Sequence, residues 1–328
     1  MTGAGVDPHQ IGRELDGAVV TVDPGLPPAV REGVRELTGR PVGTGAAPGG
    51  RPRVHVGPTV PELAAGERLL WLHSTNAGVD ALLSSLSPWP SGTLLTRTVG
   101  RMGERIGQYV LAWALAELQD IPGFLRQQAS RTWNRLETEP ADGTLAVVFG
   151  TGGIGAGVAA ALGRCGIRTV GVARTPRRVP GFDHVLRLGS PAGPDGPSAE
   201  LTAALAEARW VVDALPLTPE TEGLFGTGLF GAMSGATFFN VGRGATVRTD
   251  ALAHALEEGR VAHAVLDVLP EEPAPPSSPA WDLPRTTLTS HSAGPTTATD
   301  ITTDFGTAWH SLRVGRLPTL AVHPTAGY

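Results

Sequence analysis

The sequence predicts an α/β protein built around a doubly wound parallel sheet, and two observations support this prediction. Short apolar runs typical of buried strands alternate with helix-length segments, most regularly after residue 145. A glycine-rich sequence, Gly150-Thr151-Gly152-Gly153-Ile154-Gly155, stands between one such run and a stretch of small apolar residues. The order of strand, glycine pattern and helix is typical of a dinucleotide site in such a sheet.

The first part of the chain contains three strand patterns and two helix patterns. The strands are expected at 18–22, 53–56 and 69–72, and the helices at 28–37 and 106–118. The second part is more regular and carries most of the fold prediction. Its strands are expected at 145–149, 168–172, 209–214, 236–241, 262–267 and 286–290, and its helices at 154–164, 199–208, 249–259 and about 298–312.

Composition excludes several classes of function. A chain of 328 residues has room for two domains, and its net charge of -5 argues against nucleic acid as a partner. All 26 basic residues are arginines, so Schiff-base chemistry and a P-loop lysine are excluded. Cys165 is the single cysteine, which permits no internal disulfide or cysteine-rich metal site and fits the cytoplasm. We expect no metal, no membrane span and no signal peptide.

Each glycine of the motif has a distinct expected role. Gly150 allows a tight turn, Gly152 lets a pyrophosphate approach the backbone, and Gly155 lets the helix pack closely on the strand. Gly153 and Ile154 open the helix, whose free N–H groups would face the phosphates.

The second strand of the dinucleotide domain indicates which nicotinamide cofactor binds. In NAD sites this strand ends in an acidic residue that binds the ribose diol. Here it is followed by Arg174, Thr175, Arg177 and Arg178, without an acid. Guanidinium groups suit a 2′-phosphate, so we expect NADP(H) to be preferred, with NAD(H) possible. The alternative is an arginine-rich surface turn.

Three residues offer the chemistry that reduction of a 2-keto acid requires: a cation for the carboxylate, a proton donor and a group that orients the donor. Arg243, Glu272 and His291 each follow an expected strand of the same sheet. Ligands of open α/β sheets bind at the carboxyl ends of strands, which favours a joint role. Individually, each could equally be a surface or structural residue.

The residues after 145 resemble the D-isomer-specific 2-hydroxyacid dehydrogenases in five ordered segments: 150–155, 215–221, 240–244, 266–273 and 291–294. Earlier in the chain, 76–80, 102–109 and 126–133 resemble the glyoxylate/hydroxypyruvate reductase A branch of that family. The resemblance implies a Rossmann-type domain inserted into a smaller flavodoxin-like α/β domain. We therefore expect a first substrate-domain segment at 1–97, the dinucleotide domain at 98–290 and a returning segment at 291–328.

The resemblance also implies roles for individual residues. Arg243 would bind the substrate carboxylate and polarise its carbonyl, His291 would donate a proton, and Glu272 would orient His291 and favour its imidazolium form. The positions expected to bind substrate from the other domain are Asn76, Ala77, Gly78 and Val79. The positions expected to line the cofactor, besides the glycine motif and the arginine segment, are Leu215, Pro216, Thr221, Val241, Gly242 and Asp267.

Departures from the family pattern leave the substrate open. Ser290 stands where the family usually has proline, Gln108 where glutamate is usual, and Arg248 where aspartate is common. We expect an NADPH-dependent reductase of glyoxylate, hydroxypyruvate or a larger 2-keto acid, acting as a homodimer by resemblance. The alternative is a dinucleotide-sensing scaffold of the corepressor type, acting through protein partners. A methyltransferase would not need the three polar residues, and formate dehydrogenases typically carry glutamine in place of Glu272.

Overall fold

The chain folds into two compact α/β units. The computed structural model describes residues 6–45, 50–86, 88–189 and 197–324. One unit comprises Met1–Arg101 and Thr296–Tyr328, and the other comprises Met102–Pro295, which is inserted into the first along the chain. The expected boundaries, after residues 97 and 290, lie a few residues before these. The α/β fold class predicted from the sequence is confirmed.

The first unit is a five-stranded parallel sheet in the order β2-β1-β3-β4-β5, a flavodoxin-like order. Its strands are β1 Val19–Val22, β2 Val42–Gly43, β3 Pro52–Gly57, β4 Arg68–Ser74 and β5 Leu94–Arg97. Its helices are α1 Pro8–Glu14, α2 Pro28–Thr38, α3 Asp80–Ser85 and the C-terminal helix Ala298–Arg313. The C-terminal helix is held in this unit because Phe305 stacks on the buried Trp71 of β4 at a ring distance of 4.9 Å.

The second unit is a seven-stranded parallel sheet in the order β12-β11-β10-β9-β6-β7-β8. The two halves of this sheet meet between β6 and β9, as they do in dinucleotide-binding sheets. Its strands are β6 Leu145–Phe149, β7 Arg168–Ala173, β8 His184–Arg187, β9 Trp210–Asp213, β10 Ala236–Asn240, β11 Val261–Leu266 and β12 Thr286–Leu288. Its helices are α4 Met102–Leu118, α5 Ile121–Ala129, α6 Gly153–Gly163, α7 Ala199–Glu207, α8 Thr227–Gly231 and α9 Thr249–Glu257.

The sheet of the second unit has a core on each face because successive strand side chains point to opposite sides. Val147 and Phe149 of β6 pack with α7, α8 and α9 on one face. Ala146 and Val148 pack with α4 and α6 on the other. Helices α4 and α6 approach at their glycines, since a Cβ on Gly157 would lie 2.1 Å from the Gly103 carbonyl oxygen. This close packing fixes α6, and with it the glycine motif at its start.

Two of the elements that the sequence patterns did not predict, β8 and α8, are short. Strand β8 has four residues, of which only Leu186 is buried, and α8 has five. Such segments are too short to display a periodicity.

None of the helices in the described part of the chain combines the length and apolar character that crossing a membrane requires.

Candidate active site

The glycine motif forms the turn from β6 into α6. Gly150 has φ of +94°, a conformation that favours glycine, and a Cβ there would lie 2.8 Å from the Ala214 carbonyl oxygen. A Cβ on Gly155 would lie 1.8 Å from the Gly150 carbonyl oxygen. Both positions therefore require glycine for steric reasons, which the sequence pattern anticipates.

The start of α6 fits the phosphates of a dinucleotide. Gly152 caps the helix without a side-chain hydrogen bond, and a Cβ on Gly152 or Gly153 would have no heavy atom within 4 Å. Both glycines are exposed, and Ile154 beside them is half-buried. A helix start with open space before its N–H groups is suited to bind an anion. The residues present thus fit the pyrophosphate of a nicotinamide cofactor.

The arginine segment lies beside this turn. Arg174, Thr175 and Arg177 follow the end of β7 and are exposed. A hydrogen bond with Thr218 lowers the pKa of Glu220, and Arg174 contributes a smaller electrostatic effect. Arg174 therefore lies within electrostatic range of Glu220, in the loop that follows β9.

That loop contains three of the residues expected to line the cofactor. Thr221 is buried, and its hydroxyl donates to the Pro216 carbonyl at 2.6 Å and accepts from the Thr218 N–H at 2.8 Å. Leu215, half-buried, touches the next expected position, because a Cβ on Gly242 would lie 2.6 Å from the Leu215 carbonyl oxygen. Val241 is buried beside it.

Arg243 lies at the carboxyl end of β10, in a turn fixed by its neighbours. The Asn240 amide donates to the Arg243 carbonyl at 3.0 Å and accepts from the Gly242 N–H at 3.1 Å. The Arg243 guanidinium donates to the Gly242 carbonyl at 2.8 Å. Gly244 packs on the loop after β11, since a Cβ there would lie 1.9 Å from the Leu269 carbonyl carbon. The Arg243 turn therefore contacts the loop that leads to Glu272.

Glu272 and His291 form a direct pair. The Glu272 Oε2 atom lies 2.7 Å from His291 Nδ1, and Glu272 Oε1 accepts from the Leu269 N–H at 2.8 Å. The second hydrogen bond fixes the carboxylate, and the carboxylate orients the imidazole. With Nδ1 engaged, Nε2 is left as the ring nitrogen that can give a proton to a ligand, and the His291 side chain is 58% exposed.

The turn that carries His291 is strained and braced. Ser290 and His291 have φ of +53° and +55°, which side chains with a Cβ rarely adopt. The His291 N–H donates to the Asp267 carbonyl at 2.6 Å. The buried Asp267 carboxyl group accepts from the Thr289 hydroxyl at 2.6 Å and from the N–H groups of Ser292 and Ala293 at 2.8 and 3.1 Å. Asp267, expected to line the cofactor, thus also holds the His291 turn.

A further hydrogen bond extends this brace to α4. The Tyr109 hydroxyl lies 2.7 Å from the Thr289 hydroxyl. Because the single Thr289 proton goes to Asp267, Tyr109 must be the donor. Burial raises the pKa of Tyr109 to about 12, which keeps this proton in place. Thr289 could not be predicted as a bracing residue, because a threonine in that position belongs to no sequence motif.

The expected substrate loop belongs to the first unit, after β4. Asn76 is exposed, Ala77 and Gly78 are half-buried, and Val79 is buried at the start of α3. The Ala77 carbonyl accepts from the Arg97 guanidinium at 3.2 Å, which ties the loop to β5. A role in substrate binding stays a prediction for these four residues.

A parallel sheet with a glycine turn before an open helix start and an exposed, carboxylate-oriented histidine at its carboxyl edge is typical of dinucleotide-dependent oxidoreductases. The family model for the NAD-binding domain of D-isomer specific 2-hydroxyacid dehydrogenases matches residues 111–293. The chain therefore belongs to the D-isomer specific 2-hydroxyacid dehydrogenase family, and it is an NAD(P)-dependent dehydrogenase.

The chain is similar to individual proteins and solved structures. An uncharacterized protein encoded in the mprR 3′ region of Streptomyces coelicolor is 52% identical over 267 residues, or 81% of this chain and 92% of that protein. A D-isomer specific 2-hydroxyacid dehydrogenase from Xanthobacter autotrophicus Py2, solved with NADPH and MES, is 26% identical, with a TM-score of 0.77 over 94% of this chain and 99% of that one. The NADPH-dependent glyoxylate/hydroxypyruvate reductase of Sinorhizobium meliloti, solved with NADP and sulfate, is 25% identical, with a TM-score of 0.77 over 95% of this chain and 100% of that one.

Proposed function

We propose that the protein reduces a small 2-keto acid to the D-2-hydroxy acid with NADPH. The observation that carries this proposal is the 2.7 Å pair of Glu272 and His291 at the carboxyl edge of the dinucleotide-binding sheet. When bound, NADPH would supply the hydride. The chain's own residues then have to bind the substrate, polarise its carbonyl and deliver one proton.

His291 is the proposed proton donor. Its Nδ1 faces Glu272, so the proton leaves from Nε2 toward the substrate oxygen that becomes the hydroxyl. The Leu269 N–H holds the carboxylate on its other oxygen, so both carboxylate oxygens are hydrogen-bonded.

Arg243 is the proposed substrate cation. A guanidinium can bind a carboxylate through two hydrogen bonds and at the same time stabilise charge that develops on the adjacent carbonyl oxygen. Its turn is held by Asn240 and packs on the loop toward Glu272. We assign the backbone N–H groups of Ala77 to Val79 to the substrate carboxylate as well.

The preference for NADPH rests on Arg174, Thr175 and Arg177 at the end of β7. These residues are exposed, and the segment 173–178 contains no acid that could bind a ribose diol. Two of the similar solved structures contain NADPH or NADP. For the substrate we propose a glyoxylate- or hydroxypyruvate-like 2-keto acid or a larger one, because Ser290 and Arg248 depart from the usual family residues.

We further propose that the protein acts as a homodimer in the cytoplasm. Helix α5 and the segment after it expose Ile121, Phe124, Leu125 and Trp133, the last with 99% of its surface accessible. Several large exposed apolar residues within one short segment are typical of an interface. The net charge of -5 and the single cysteine support a partner that is not nucleic acid and a reducing compartment.

The test is NADPH oxidation with a panel of 2-keto acids of increasing size, repeated with NADH. We expect turnover with at least one 2-keto acid and loss of that turnover in His291→Ala. NADPH binding without turnover of any 2-keto acid would instead favour a dinucleotide-sensing scaffold.

A further inference from the structure

Asp213 is a fully buried acid that the proposed reaction does not use. It is the last residue of β9, between Phe149 of β6 and Asn240 of β10, and none of its surface is accessible. A buried carboxylate is normally paired with a cation, because its desolvation is costly. In the described chain, the Asp213 carboxyl contacts are the Leu215 N–H at 3.0 Å and the Thr246 hydroxyl, both uncharged.

A proton count at Thr246 determines the protonation state of Asp213. The buried Thr246 hydroxyl lies within hydrogen-bond distance of Asp213 Oδ2 and 2.5 Å from the Arg243 carbonyl oxygen. A threonine hydroxyl has one proton, and a carbonyl oxygen has none. Both contacts are hydrogen bonds only if Asp213 Oδ2 carries a proton. Asp213 then donates to Thr246, Thr246 donates to Arg243, and Asp213 Oδ1 accepts from Leu215.

These three bonds join two loops of the site. One bond reaches the carbonyl of Arg243, the proposed substrate cation, and another reaches Leu215, the first residue of the expected cofactor loop. We propose that Asp213 is a positioning residue that, as an uncharged carboxylic acid, links these loops and sets the position of the Arg243 turn. The link to catalysis rests on the proposed function, whereas the protonation state does not.

Electrostatics agree with this geometry. Burial raises the pKa of Asp213 to about 7, and the N–H of Leu215, which donates to the carboxyl group, opposes that rise. The flanking Phe149 and Asn240 are not titratable. An acid whose pKa is higher in the folded state binds its proton more tightly there, so folding is favoured below the unfolded pKa. That contribution is lost as the pH rises from about 4 to about 7.

The direct test is infrared difference spectroscopy of the whole protein against Asp213→Asn. The parent protein should show the C=O band of a protonated carboxylic acid at pH 6, absent from the variant, and the band should fade as the pH passes about 7.

Thermal unfolding gives an independent measurement. The difference in melting temperature, Asp213→Asn minus the parent protein, should increase between about pH 4 and 7, because asparagine cannot ionise. An ionised Asp213 at pH 6, or a constant difference, would overturn the proposal.

Kinetics test the positioning role separately. Asp213→Asn keeps one donor and one acceptor at every pH, whereas the parent protein loses its donor when Asp213 ionises. The ratio of the variant's kcat to the parent's should therefore increase with pH. Asp213→Leu removes both and should lower kcat about tenfold or more, as expected for loss of a buried hydrogen-bonded link. If the leucine variant does not fold, the asparagine variant still tests the positioning role. A ratio of its kcat to the parent's that does not change with pH would contradict that role. An infrared band without turnover of any 2-keto acid would uphold the proton on Asp213 and refute the proposed function.

Discussion

At the residue scale, the Glu272–His291 pair should control the rate of reduction. Glu272→Gln removes the carboxylate that lies 2.7 Å from Nδ1 but keeps its shape. We expect kcat/KM to fall about 10- to 100-fold, the effect of losing one charge-assisted hydrogen bond, while NADPH binding stays unchanged. His291→Ala should lose most activity, and a Glu272→Gln variant with the kcat/KM of the parent protein would refute the pairing.

Also at the residue scale, Arg174 should decide between the two nicotinamide cofactors. A charge-assisted hydrogen bond to a 2′-phosphate contributes roughly 1.5–3 kcal/mol, or about 10- to 100-fold in kcat/KM. Arg174→Asp should therefore lower kcat/KM for NADPH by that order and shift preference toward NADH. The same substitution at Arg164, exposed at the opposite end of α6, changes the net charge equally and should leave the preference unchanged. Equal kcat/KM for both cofactors in the parent protein would contradict the assignment.

At the scale of elements, the hydrogen-bond chain from α4 to the His291 turn should affect the rate of reduction. Thr289→Val removes the hydroxyl between Tyr109 and Asp267 while keeping a β-branched side chain. We expect kcat to fall about 2- to 10-fold, because the strained turn loses the two hydrogen bonds of this hydroxyl, to Tyr109 and to Asp267. Thr289→Ser keeps the hydroxyl and should restore kcat. A Thr289→Val variant with the kcat of the parent protein would contradict the bracing role.

The elements also explain what the sequence could and could not predict. Strand β6 and helix α6 were predictable from the sequence. Strand β6 has five consecutive buried apolar residues, and helix α6 follows a glycine turn and is eleven residues long, which is enough for a clear pattern. Strand β8 and helix α8 were not, since they are short and held by neighbours. Within the site, Glu272 and His291 follow strands and carry recognisable motifs. Asp213 and Thr246 were missed because their role depends on a shared proton, which no spacing along the chain can reveal.

At the scale of the whole molecule, the exposed face of α5 and the segment after it should decide the oligomeric state. Trp133 is 99% accessible and Leu125 63%, and burying an aromatic side chain of that size removes roughly 150–250 Å² from water. A second copy of the chain would cover these residues in a two-fold dimer, where the same patch meets itself. Trp133→Arg places a charge in that interface and should convert the dimer to monomer at micromolar concentration, measured by sedimentation velocity. Leu63→Arg, at an exposed apolar residue of the other unit, should leave the mass unchanged, and a monomeric parent protein would refute the dimer.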